Sequence, residues 1–81
     1  MTFTLTPNPA TKLVTVQLQF DKETAVSVSL LDMVGKPVQT RALTLLKGEV
    51  VFDLTALPKG VYMVRVFKGK VSLGTKKLIK S

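Results

Sequence analysis

Apolar and polar residues take turns along most of this chain. In KLVTVQLQF, Val14, Val16, Leu18 and Phe20 fall on one side while Thr15, Gln17 and Gln19 fall on the other. That is the period-two pattern of a strand with one face buried and one wet. DKET supplies a polar turn, and AVSVSLL repeats the device with Val26, Val28 and Leu30 inward and Ser27 and Ser29 outward. DMVGKP ends that strand, because Gly35 admits positive φ and Pro37 cannot donate to a ladder. Residues 38–46 form a weaker strand whose ALTLL does not fix which face is buried. KGEVVFDL is clearer: Val50, Phe52 and Leu54 oppose Val51 and Asp53, with Lys47-Gly48 as a hairpin tip. LPKGVYMVRVFKGKVSL reads as two strands joined at Lys68-Gly69, with Tyr62, Val64 and Val66 on the core face and Val71 and Leu73 continuing in the second. Gly74 marks a bulge or bend before the final TKKLIK.

Short strands without helical spacing predict an all-β chain. One sheet alone would leave its apolar face in water, so the pattern predicts an immunoglobulin-like β-sandwich of about six to seven antiparallel strands. Tyr62 fits that choice. A tyrosine just after a Leu-x-x-Gly corner packs its ring inside and bonds its hydroxyl to the corner's backbone, although a plain core aromatic would occupy the same place. Ahead of the first full strand, TPNPAT places Pro7 and Pro9 around Asn8. Each proline fixes its own φ and pushes the residue before it toward extended geometry, so the segment is a stiff non-helical connector. Asn8 is suited to bonding local backbone there.

Length adds one constraint: 81 residues are one domain, with no room for a second. The 46% apolar content supports a folded core rather than disorder. Charge changes the picture more. Through residue 56 five cations balance five carboxylates, whereas residues 57–81 hold Lys59, Arg65, Lys68, Lys70, Lys76, Lys77 and Lys80 with no acid. The whole net charge of +7 therefore lies in the last third. Such a surface keeps a small domain soluble and discourages edge pairing. No apolar run approaches the roughly 20 residues of a membrane-spanning helix. Met1-Thr2-Phe3-Thr4 is not the basic start of a signal peptide, so export would require the domain to be part of a longer polypeptide.

Candidate chemistry is sparse. With no histidine and no cysteine, Ser-His catalysis, thiolate metal sites and a disulfide framework are all excluded. A Ser-Lys pair from Ser72 or Ser81 would need a buried lysine, which these positions do not suggest. The carboxylates are scattered over turns and outward strand positions, and Asp21 with Glu23 lacks the oxygen-rich loop that calcium requires. The five glycines stand alone beside turn residues, so no phosphate loop is formed. The pattern predicts a non-enzymatic domain without cofactor or metal. Nucleic acid would suit the charge, but only Phe67, and Tyr62 if it faced outward, could stack bases in the basic third. Carbohydrate binding lacks exposed platforms, there being no tryptophan.

Four stretches occur in a diagnostic order: Pro7-Asn8-Pro9-Ala10, LLDMVGKPV at residues 30–38, LTALPKGVYMVRV at 54–66, and the terminal KKLIKS. With these the chain resembles the Por secretion system (type IX) C-terminal sorting domain, type A, over essentially its whole length. The resemblance implies the last domain of a large exported protein, in the periplasm in transit and then at the cell surface or secreted, associated with the outer membrane. Its implied partners are translocon components, among them an outer-membrane shuttle protein and a surface sortase that removes the domain upstream of its start. The shortage of aromatics among the cations and the lack of a long apolar run lead to the expectation of no nucleic acid and no membrane insertion. Residue by residue, the family motifs fall on Pro7, Asn8, Pro9 and Ala10 and on Gly60 and Tyr62, and the terminal signal on Lys77, Leu78, Ile79 and Lys80. Thr6 departs from the family, which often has an aromatic residue there.

A label of this kind works physically if a receptor adds its terminal strand to a sheet edge, with cations steering the approach to an acidic surface. Lys76, Lys77, Leu78, Ile79, Lys80 and Ser81 are then the residues that the translocon recognises. Equally, Leu78 and Ile79 could complete the core while the lysines blunt an edge. Two other functions remain open on sequence alone: a fibronectin-III-like adhesion or spacer module, which would not depend on the last five residues, and a basic nucleic-acid-binding domain. An edge-strand homodimer is a further expectation.

Overall fold

The computed structural model describes residues 1–81. It contains five strands and no helix: β1 (Thr2–Thr6), β2 (Leu13–Leu31), β3 (Pro37–Asp53), β4 (Gly60–Lys68) and β5 (Val71–Lys80). All strand pairings are antiparallel, in the order β1-β2-β4-β5 with β3 also on β2. The expected six to seven strands are thus five, because two of them are long enough to serve both layers of the sandwich. The first half of β2 lies between β1 and the second half of β3, and the second half of β2 lies between the first half of β3 and β4, with β5 beyond.

The corner between the layers explains two misread turns. DKET and Lys47-Gly48 were each expected to reverse the chain, yet both lie inside strands, facing each other across the β2–β3 ribbon. Gln19 pairs with Lys47 and Thr24 with Leu45, so residues 20–23 of β2 oppose Leu46 alone. Surplus residues on one strand bend it and raise its twist, which is how a continuous ribbon passes from one layer to the next. Asp21, Lys22 and Glu23 are exposed at this corner, while Phe20 beside them stays in the core cluster.

The alternation predicted along β2, β3 and β4 is realised. Val14, Val16, Leu18, Phe20, Val26, Val28, Leu30, Val50, Phe52, Leu54, Tyr62, Val64 and Val66 all join one buried cluster. Leu45 joins them and Leu43 packs against them, which settles the face left open in ALTLL. Ser29 is a correction: it is outward by parity but buried, its hydroxyl 3.1 Å from that of Thr40 on β3. Val71 and Leu73 are another, at 63% and 36% exposed rather than core. The β4–β5 register slips at Leu73, beside the expected Gly74, and the residue from this strand that enters the core cluster is Leu78.

Strand β1 was not foreseen, although Phe3 and Leu5 in TFTLT carry the same alternation over a shorter span. Phe3 is buried and reaches the opposite layer, where a Cβ on Gly74 would come within 3.0 Å of its ring. A glycine at 74 leaves the space that this ring fills. At the end of β3, Asp53 accepts from the hydroxyl of Thr55 and, at 2.9 Å, from its amide. The hydroxyl first and the amide second hold its carboxyl below the usual carboxylate range.

Candidate functional site

The Pro-Asn-Pro-Ala motif and the terminal signal, at opposite ends of the sequence, meet in space. The loop from Pro7 to Lys12 joins β1 to β2, with cis peptide bonds before Pro7 and Pro9, and it lies along the outer edge of the last residues of β5. Asn8 supplies both halves of a strand-like pairing from one side chain. Its Nδ2 donates to Lys77 O at 2.9 Å and its Oδ1 accepts from Ile79 N at 3.0 Å. Two residues on, Ala10 continues with its own backbone: its amide donates to Ile79 O at 2.8 Å and its carbonyl accepts from Ser81 N at 2.8 Å. The Ala10 side chain is completely buried.

These contacts decide what the terminus offers a receptor. Along a strand the backbone groups of alternate residues point to opposite sides, so β4 takes one set and the loop takes the other. The outward carbonyls of Lys77 and Ile79 and the outward amides of Ile79 and Ser81, expected to be open for strand addition, are occupied by Asn8 and Ala10. The side chains separate equally cleanly. Leu78 is fully buried in the core cluster, Lys80 is half-buried, and Lys76, Lys77, Ile79 and Ser81 are exposed, Ile79 at 39%. Of the two readings of this segment, Leu78 follows the core-completing one and the exposed residues remain available.

The cations are held as well as displayed. Lys76 Nζ lies 5.4 Å from the centre of the Phe3 ring, and the Arg65 guanidinium lies 5.9 Å from that of Phe67. Arg65 Nε also donates to Thr75 Oγ1 at 2.9 Å. The strand segments of this four-stranded layer carry Arg41, Arg65, Lys68, Lys76, Lys77 and Lys80 and no carboxylate. The acids lie elsewhere: Asp21 and Glu23 at the corner, Glu49 and Asp53 in the other layer, and Asp32 in the turn after β2. The charge split read along the sequence is therefore also a split between layers.

Gly60 and Tyr62 open β4 beside this segment, paired with Lys80 and Leu78. Gly60 has φ +155°, a backbone region open to glycine and strained for other residues. Tyr62 Oη donates to Pro58 O at 2.7 Å while its ring is buried, the geometry of a tyrosine corner. Tyr62→Phe removes that bond and leaves the carbonyl without its partner. The expected loss of stability is about 1 kcal/mol, read as a lower urea midpoint at unchanged slope.

Pro7 and Pro9 shape the loop, but the contact of Asn8 with Ile79 spans 71 residues, and nothing in local pattern announces it. Met33 and Val34, at 70% and 92% exposed, have a local signal, two apolar residues inside a polar turn. No curated protein matches the chain. The family model described as the secretion system C-terminal sorting domain matches residues 4–81, taking in the proline loop, the Gly60 corner and the terminal strand together. The chain accordingly belongs to the family of C-terminal sorting domains that mark cargo for type IX secretion.

Proposed function

We propose that this domain is a non-enzymatic address label whose terminal segment, Lys76 to Ser81, is gripped by the type IX translocon through exposed side chains. The observation that carries it is the family match over residues 4–81, which includes that segment. The geometry supports it: the domain presents Lys77 and Ile79 on the outward face, with Lys76 exposed on the other side of the same strand, and the strand segments of this layer carry no carboxylate, which favours fast encounter with an acidic partner. An outer-membrane shuttle protein and a surface sortase are the finer partners of this reading, and passage through the periplasm to the outer membrane is its route. A second copy is a further candidate partner, because β1 and β3 each pair only with β2 and leave one edge open.

The test fuses residues 1–81 behind a signal peptide and a fluorescent reporter in a type IX host. The reporter with the domain is expected at the cell surface or in the medium, and the reporter without it in the periplasm. Equal distribution of the two would remove the proposal.

A further inference from the structure

We propose that the surface read by the secretion machinery extends from the terminal strand to the Asp32–Lys36 turn. The exposed apolar residues Met33 and Val34 of that turn and Ile79 at the same end of the layer, with the nearby cations Lys36, Lys59 and Lys77, would seat a folded protein that sets carboxylates around an apolar centre. This rests on the sorting-signal reading above and adds the face on which the domain is held.

The register brings these residues to one end of one layer. Leu31, Met63 and Lys77 form a row across β2, β4 and β5, and Val61 with Ile79 forms the next row, toward the turn that follows Leu31. Met63 and Val61 are half-buried on the outward face, and Leu31, also outward by parity, is 3% exposed yet lies outside the core cluster. This face thus has apolar packing of its own, and the patch continues it.

The turn itself is firmly built. Asp32 Oδ1 accepts from Val34 N at 3.0 Å and from Lys36 N at 2.9 Å. Asp32 N donates to Lys36 O and Gly35 N to Asp32 O, each at 3.0 Å, with Gly35 at φ +91°. So ordered a turn nonetheless holds Met33 and Val34 at 70% and 92% exposed. Both side chains keep most of their surface in water and stand ready to be covered by another surface.

Charge selects the occupant. The strands of this layer hold no carboxylate, and the turn's Asp32 has one oxygen engaged by two backbone amides. A complementary partner is therefore acidic at the rim and apolar at the centre. The patch offers no aromatic side chain for stacking bases, which argues against a nucleic acid. It also lacks the aromatic and leucine-rich face by which a segment enters a bilayer. Because Asn8 and Ala10 already occupy the backbone edge at this end, side chains must do the reading.

The reporter fusion described above tests this with the double substitution V34S/I79S, K77E, and V51S as a control at an exposed valine of the other layer. V34S/I79S and K77E are expected to cut surface delivery about tenfold with an unchanged thermal midpoint, while V51S leaves it intact. V34D, at a position 92% exposed, gives the same readout should the Ile79 change disturb folding. Normal delivery of V34S/I79S and V34D would overturn the patch while leaving the sorting signal standing, whereas failure of the unaltered fusion would sink the sorting reading instead. The purified chain is also mixed with phosphatidylglycerol vesicles and with oligothymidine at about 150 mM salt. Retention on either that is lost in V34S/I79S would transfer the patch to a lipid or nucleic-acid surface and overturn the protein partner; no such retention is expected.

Discussion

Leu78→Ala is expected to lower the unfolding free energy by about 2–5 kcal/mol, the range for emptying a well-packed leucine site. Leu78 is fully buried, pairs across the strands with Tyr62 and sits three residues from the chain end. Urea titration at constant pH measures the effect, with Lys77→Gln and Ile79→Thr as companions expected within about 0.5 kcal/mol of the parent because both side chains are exposed. A loss as small in Leu78→Ala as in the companions would mean that the terminal strand is not docked as described. The functional consequence is direct. A domain of this size has about 5–15 kcal/mol in all, so deleting Lys77–Ser81 removes a core residue, the last pairings of β5 and the whole loop contact at once. Truncation would then abolish delivery whether or not a receptor touches those residues, and the outward substitutions Lys77→Glu and Ile79→Ser separate the two causes.

How much of this was legible beforehand depends on the range of the interaction. Alternation is a local property, and it correctly assigned the inward faces of β2, β4 and the end of β3, since each strand buries one side whatever its partner. The same signal was present but short in TFTLT, and β1 was missed because two apolar residues do not make a period. Turn chemistry misled at DKET and Lys47-Gly48. Polar and glycine residues mark any departure from a flat strand, and a corner between layers uses the same residues as a reversal. Val71 and Leu73 were placed in the core because a strand was extrapolated through a register slip that no local pattern reveals. The candidate site was half legible. Its residues stood out as punctuation, but their meeting depends on a fold that brings residue 8 to residue 79.

Asn8→Ala tests that meeting, and its expected cost is about 1–3 kcal/mol, because it removes one donor and one acceptor that match two backbone groups of β5. Stability alone would not identify the cause, whereas amide exchange does. The Ile79 amide loses its acceptor and is expected to exchange much faster, while the amides of Leu78 and Lys80, turned toward β4 by strand alternation, keep their protection. Ser81, bonded to Ala10 rather than to Asn8, should lose protection only as far as the loop itself loosens. Asn8→Asp retains the acceptor for Ile79 N but sets a second oxygen against Lys77 O, so it should fall between parent and alanine. Uniform protection in all three proteins would show that the side chain is not what holds the edge. If it is, the alanine variant frees Lys77 O and Ile79 N on the outer edge of β5 and should self-associate more than the parent with rising concentration, which sedimentation would detect. The loop would then have a second physical role besides stability: it keeps the terminal segment from pairing with other strands, so that the exposed side chains are what a partner meets.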